Sequence, residues 1–353
     1  MSGPRFLVMG AGGLGGLVTA HLLETGHDVV CVTTNDAIAS AVAASGFRVR
    51  GDDVERAVPG TIARSVPDGP FDFVILAVQP PQVEEAARQA MGALAPGGKM
   101  VCLQNGLCEP RVEATLGEGG RDRVYGAVVA WGGAMPEPGV YDRTANGGFT
   151  IGRYDGRPLD PDARELAQAL EAIGPVETTQ NLRGKRFSKL AINCAISSIG
   201  TLAGERLGPL MQHRFIRRLA LEIMTETVEV ARREGVALEK VSGTIDLEWI
   251  ALTPEEREAV GSSGLFAKHG LLLAVGFRYR RMRSSMLQAI ERGRAPAVDF
   301  LNGEVVALGE RHGVPTPVNR AVRDEVWRLA RGEATFGLDL VRKVFEETGP
   351  HGA

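Results

Sequence analysis

Between residues 5 and 179 the chain alternates short, β-branched and almost wholly apolar runs with stretches of helical spacing. The runs cover residues 6–9, 29–33, 73–78 and 100–103. That alternation predicts βαβ units. Parallel strands joined by helices are buried on both faces, which explains why these runs are apolar throughout rather than alternating with polar residues. Later runs at 124–130, 140–144 and 149–151, joined by a Pro/Gly-rich loop at 135–139, predict a smaller, partly antiparallel extension. Beyond Gln180 the strand signals stop. Ile216, Leu219, Ala220, Ile223, Thr227, Val230 and Ala231 recur at helical spacing. Thr253-Pro254-Glu255-Glu256 sets an N-cap hydroxyl, an N1 proline and an N3 carboxylate in order, a helix start. The expectation is an α/β domain over residues 1–180, with a doubly wound, mostly parallel sheet, followed by an all-α domain over 181–353.

Composition narrows the function classes. A chain of 353 residues with 40 Lys and Arg against 43 Asp and Glu has a formal charge of −3, which gives no electrostatic reason to seek nucleic acid. Cys31, Cys102, Cys108 and Cys194 are scattered without C-x-x-C spacing, and the six histidines form no Cys/His cluster, so no metal site is expected. No cationic segment followed by an apolar one precedes Arg5, and no apolar run approaches membrane-spanning length. The expected location is the cytoplasm and the expected partner a small molecule.

Immediately after the first apolar run comes Gly10-Ala11-Gly12-Gly13-Leu14-Gly15-Gly16, with Leu14, Leu17, Val18 and Leu22 on one face of the following helix. This is G-x-G-x-x-G between a strand and a helix, the dinucleotide-binding fingerprint of a Rossmann domain. Gly10 permits the tight turn, Gly12 admits a pyrophosphate to the backbone, and Gly15 allows close helix-to-strand packing. The fingerprint expects an acidic residue at the end of the second strand to hold the ribose of NAD. Thr33, Thr34 and Asn35 stand there instead. They would not repel a 2′-phosphate, which favours NADP over NAD, although no arginine is present there to grip one. Asn35 reads equally as a cap of the next helix. Two further strand ends face the ligand crevice of such a sheet: Val78-Gln79-Pro80 and Gln104-Asn105-Gly106-Leu107. An Asn-Gly pair is also an ordinary turn. In the helical half Lys189, Asn193 and Ser197 fall at i, i+4 and i+8 and share one face. Either this is a solvated stripe, or Lys189 donates a proton to a carbonyl oxygen as hydride arrives at carbon.

These motifs together resemble the ketopantoate reductase (2-dehydropantoate 2-reductase) family. The matching pieces are Gly10 to Gly16, the turn from Leu103 to Gly106, Lys189-Leu190 with Asn193, and Ser284-Ser285-Met286-Leu287-Gln288 leading to Asp299-Phe300-Leu301-Asn302-Gly303. The resemblance implies a Rossmann domain, a helical C-terminal domain, NADPH, and reduction of a 2-oxo acid. It implies that Lys189 is the general acid and that Asn105, Asn193 and Ser285 orient cofactor and substrate in a homodimeric enzyme. Several positions depart from the family pattern. Thr34 and Gln79 stand where basic residues are common, Ser197 where a second asparagine is usual, and Ala297 where a substrate-side glutamate is expected. A β-hydroxyacid dehydrogenase working in the oxidative direction, and a non-catalytic NADP sensor, are the alternative readings. The segment 240–280 is longer than in compact members. Its Trp249, Leu265, Phe266 and Phe277 suit either an apolar wall of the substrate pocket or burial in the helical core. The basic run Arg278 to Arg283 suits an exposed helix face or an acidic partner.

Overall fold

The computed structural model describes residues 3–51, 54–241, 245–258 and 261–348. The chain divides into two compact units: one runs to Gln104 and resumes over Cys108–Leu182, and the other combines Asn105–Leu107 with the chain from Arg183 onward.

The first unit contains strands β1 (Arg5–Met9), β2 (Asp28–Val32), β3 (Phe47–Gly51), β4 (Val54–Val58), β5 (Thr61–Ala63), β6 (Phe71–Leu76), β7 (Leu94–Cys102), β8 (Val124–Val129), β9 (Gly132–Glu137), β10 (Val140–Ala145), β11 (Phe149–Gly152) and β12 (Val176–Thr179). Its helices are α1 (Gly13–Glu24), α2 (Asp36–Ser45), α3 (Val83–Ala90), α4 (Glu109–Leu116) and α5 (Asp162–Leu170). Eight strands form one sheet in the order β12-β11-β8-β7-β6-β1-β2-β5, with every neighbour parallel except β8 and β11. This is the doubly wound Rossmann sheet. Phe6, Leu7 and Val8 of β1 and Val74 and Ile75 of β6 have no accessible surface, as strands covered on both faces must. The strand order reverses between β1 and β6, which puts the ligand crevice of such a sheet at their carboxyl ends.

A second sheet, ordered β4-β3-β10-β9, was not anticipated as a separate layer. Most of the expected loop at 135–139 is in fact strand, since β9 spans Gly132–Glu137 and pairs antiparallel with β10. Its glycines and Pro136 are tolerated because β9 is an edge strand, where a missing ladder donor costs little.

The second unit is helical: α6 (Leu182–Ala203, beginning at the junction), α7 (Leu207–Gln212), α8 (Arg214–Arg233), α9 (Leu247–Ile250), α10 (Pro254–Glu258), α11 (Ser263–Arg278), α12 (Ser285–Glu291), α13 (Asn302–His312), α14 (Pro317–Ala330) and α15 (Leu338–Thr348). The capping box read from the sequence is formed: Glu256 N donates to Thr253 Oγ1 at 3.2 Å and Thr253 N to Glu256 Oε2 at 3.0 Å. A buried polar chain ties four helices together. Ser198 of α6 donates to Asn302 Oδ1, Asn302 Nδ2 donates to Asn319 Oδ1 at 2.9 Å, and Asn319 Nδ2 donates to Glu226 Oε2 at 2.7 Å. Glu226 also accepts from the backbone N–H groups of Val318 and Asn319 in the first turn of α14. Burial pushes its carboxyl up to about 7 against the pull of those donors. Trp249, Phe266 and Phe277, for which core burial was one reading, are 47%, 82% and 70% exposed; only Leu265 of that group is buried.

Two glycines of the loop after β1 behave oppositely. A Cβ on Gly15 would collide with the carbonyl of Gly10, whereas one on Gly12 would meet nothing within 4 Å. Gly15→Ala is therefore expected to cost about 3 kcal/mol in chemical denaturation, the upper end for overpacking, and Gly12→Ala less than about 1 kcal/mol. Equal losses in the two variants would contradict this packing.

Candidate functional site

In the first unit the turn from β1 into α1 is built from its glycines. Gly10 has φ +106°, and its missing Cβ leaves room for Val78, whose Cγ1 and N would stand 3.0 Å from such an atom. The first turn of α1 carries no acidic residue, and its N-cap Gly12 makes no side-chain cap. Gly12, Gly13, Leu14 and Gly15 thus present N–H groups and the positive end of the helix dipole toward open space above Gly12, a cradle for an anion. Gly13 is also constrained by packing, because its Cβ would run into Gly133 of β9.

Thr33 directly follows β2, donating its N–H to the Ala63 carbonyl at 3.0 Å and accepting from Asn35 N at 3.3 Å through Oγ1. Asn35 is the N-cap of α2, its Oδ1 accepting from Ile38 N at 3.1 Å, so the capping role read from the sequence is formed. Thr34 is exposed. The sequence reading found no arginine at this strand end, and the fold corrects that. β5 lies parallel beside β2, with Val32 opposite Ala63, so the next residue, Arg64, arrives next to Thr34. Arg64 Nη2 donates to the Thr34 carbonyl at 3.3 Å, and its guanidinium pairs with Asp36. Gln79 is exposed just beyond β6. Gln104, quoted in the sequence only as part of a turn, ties that strand end down by donating to the carbonyls of Leu76 at 2.8 Å and Val78 at 3.1 Å.

In the second unit Asn105 is exposed beside Gly106, which adopts φ +90° and has no room for a Cβ against the Phe300 carbonyl. Along α6 the residues Leu190, Ala191, Cys194, Ala195, Ser198 and Ile199 are buried, while Lys189, Ile192, Asn193, Ile196 and Ser197 keep some accessible surface. Lys189, Asn193 and Ser197 therefore share one partly accessible stripe with Ile192 and Ile196. Close packing nevertheless desolvates the Lys189 amine and, with the positive charge of Arg186 nearby, pushes its pKa down to about 7. The Nδ2 of Asn193 is buried with no hydrogen-bond partner among the described residues. Ser284, not Ser285, is buried at the start of α12, its hydroxyl 2.7 Å from Thr201 Oγ1; Ser285 is exposed. Ala297 is half-buried at the head of a short turn that Asp299 holds through Arg323 Nε at 2.6 Å and Trp327 Nε1 at 3.2 Å.

Comparison with known proteins agrees with these motifs over most of the chain. The profile described as "Ketopantoate reductase PanE/ApbA" matches residues 6–156, and that for the C-terminal part of the same proteins matches residues 181–329. The chain belongs to the ketopantoate reductase family. It is 29% identical to the 2-dehydropantoate 2-reductase of Halobacterium salinarum over 334 residues, covering 93% of this chain and 99% of that one. It is 24% identical to that of Pyrococcus horikoshii, also over 334 residues, covering 94% and 98%. A solved PanE/ApbA family ketopantoate reductase from Ralstonia eutropha JMP134 superposes with a TM-score of 0.76 at 25% identity, covering 93% of this chain and 99% of its own. A D-mandelate dehydrogenase, solved with NADH and anilino(oxo)acetate, shares the fold at a TM-score of 0.76 and 18% identity, again with 93% and 99% covered. This ketopantoate reductase family member is accordingly an oxidoreductase, and among its described residues no helix is long and apolar enough to cross a membrane.

Proposed function

We propose that the protein reduces the keto group of a 2-oxo acid or related ketone to an alcohol, using NADPH, with Lys189 as the general acid. The observation that carries this reading is the α6 stripe. It places an amine with a pKa of about 7 one helical turn from an amide donor that has no hydrogen-bond partner among the described residues. A proton donor works best when its pKa lies near the working pH. Lys189 Nζ gives its proton to the carbonyl oxygen as that oxygen gains negative charge. Asn193 donates a hydrogen bond to the substrate and holds it in register, with Ser197, Ser285 and Ala297 completing the substrate side. Above pH 7 the neutral lysine accepts a proton from an alcohol, so the same residues serve the oxidative direction.

The first unit fits the dinucleotide. The open space above Gly12 suits a pyrophosphate, and Gly10 to Gly15, Val78 and Gln79 of this unit are assigned to hold it, with Asn105 of the second unit assigned to the cofactor as well. Bound NADPH supplies the hydride. Thr33, Thr34 and Asn35 offer neutral groups to the 2′-phosphate, and Arg64 reaches it by exchanging its Asp36 partner for the phosphate; NADH is the weaker cofactor in this assignment. The helical second unit provides the substrate side and the contacts of a cytoplasmic homodimer.

Arg64→Ala is expected to raise the Kd for NADPH about tenfold to a hundredfold, the loss of one charge-assisted contact, and to leave that for NADH unchanged. Titrations of both cofactors check it, and equal effects on the two would remove Arg64 from the phosphate site. Substrate choice turns on Ala297, which has neither acceptor nor charge where a carboxylate would receive a substrate hydroxyl. An apolar pocket discriminates weakly, whereas a hydrogen-bonding one discriminates strongly. In a screen following NADPH oxidation, apolar 2-oxo acids and aryl ketones should exceed ketopantoate in kcat/KM, and Ala297→Glu should shift the ratio toward ketopantoate. Ketopantoate as best substrate, with no gain from the glutamate, would contradict the assignment. No turnover with any keto compound would contradict the proposed reaction.

A further inference from the structure

The second sheet meets the glycine loop at three points. Tyr141 of β10 is fully buried and packs on Phe47 of β3, with 6.0 Å between ring centroids. A Cβ on Gly16 would collide with the Tyr141 ring, so only a glycine there lets the ring settle onto the start of α1. Gly16 lies outside the G-x-G-x-x-G spacing, and this ring is what requires it. The Tyr141 hydroxyl donates to the Ala11 carbonyl at 3.3 Å, a buried contact between the second sheet and the loop itself. Gly13 completes the set, since it lies against the backbone of Gly133 in β9 with no room for a Cβ.

These contacts bear on one peptide plane. In a trans peptide the carbonyl and the following N–H point in opposite directions. Holding the Ala11 carbonyl toward Tyr141 therefore turns the Gly12 N–H away from the second sheet. A flip of that plane would exchange the two groups and carry Gly12 from its φ of −75° into the positive region. A side chain would oppose that state, but glycine adopts it readily. Gly12 leaves its Cβ direction open, so its own backbone does not select between the two orientations. The flipped plane would present a carbonyl oxygen to an anion, where the cradle needs a donor. Burial pushes the Tyr141 phenol pKa up, so the hydroxyl remains a donor throughout the working pH range. We propose that Tyr141 is a positioning residue of the cofactor site, fixing the Ala11–Gly12 peptide so that the loop meets the pyrophosphate with an N–H rather than a carbonyl. The proposal rests on the dinucleotide reading of the loop given above and adds to it a residue of the second sheet, 130 positions along the chain.

The test is the Kd of NADPH and of NADH, by fluorescence titration well below the melting temperature, for the wild type, Tyr141→Phe and Tyr125→Phe. Phenylalanine at 141 keeps the ring on Gly16 and removes only the hydroxyl, so the variant should fold. It should raise both Kd values about tenfold, the equivalent of one buried hydrogen bond, because the pyrophosphate is common to the two cofactors. Tyr125 is an equally buried tyrosine of the same unit whose hydroxyl donates to Asp160 at 3.0 Å rather than to the loop. Tyr125→Phe should leave both Kd values unchanged, whatever it does to the melting temperature. A Tyr141→Phe with wild-type affinity for both cofactors would reduce Tyr141 to packing and overturn the proposal. A matching loss in Tyr125→Phe would overturn it too, by showing a general loosening of the unit. A loss confined to NADPH would do the same, by moving the effect to the 2′-phosphate. A wild type that binds neither cofactor would overturn the dinucleotide reading itself, and this proposal with it.

Discussion

In the proposed reaction the desolvation of Lys189 sets the chemistry, and it depends on how firmly α6 is held. A lysine on an open helix face would keep its ammonium solvated and its pKa far above neutrality. Here the inward side of α6 is locked by apolar residues and by the chain from Ser198 through Asn302 and Asn319 to Glu226. On the helix held this way the Lys189 amine is desolvated, so its charged form is disfavoured, and the like charge of Arg186 adds to the effect. The polar chain contributes position rather than chemistry, since each of its donors would be costly to leave unpaired if α6 rotated.

The same economy of function appears in the glycine loop. Gly10 and Gly15 are fixed by the protein's own packing and Gly13 by the second sheet, while Gly12 alone faces open space. A glycine-rich turn is thus partly a packing device and partly a binding device, and only the surroundings of each residue separate the two.

Much of this was legible in the sequence because it is local. The apolar runs, the strand–glycine–helix turn, the capping box at Thr253 and the Lys189, Asn193 and Ser197 stripe all follow from spacing along a single element. What escaped depends on pairing between distant segments. β5 has only three residues, and its place beside β2 is the sole reason Arg64 lies at Thr34, thirty residues earlier in the chain. β9 was hidden by its glycines and proline, which argue against a central strand but not against an edge. Which of two adjacent serines turns inward, Ser284 or Ser285, is set by Thr201, 83 residues away. Core burial, one of two readings for Phe266 and Phe277, does not hold, because hydrophobicity alone does not say which apolar side chains a fold leaves exposed.

The central claim is that a desolvated Lys189 supplies the proton. Its most direct test is the pH dependence of kcat/KM for reduction of a keto substrate, in the wild type and in Lys189→Ala. A group whose pKa is lowered to about 7 is protonated below that pH and loses its proton above it. The wild-type value should be level below pH 7 and fall about tenfold per pH unit above it. Lys189→Ala should be lower by about 10² to 10⁴ below pH 7 and should lack that fall. A wild-type profile flat through pH 7, or a variant that keeps both rate and slope, would contradict the account.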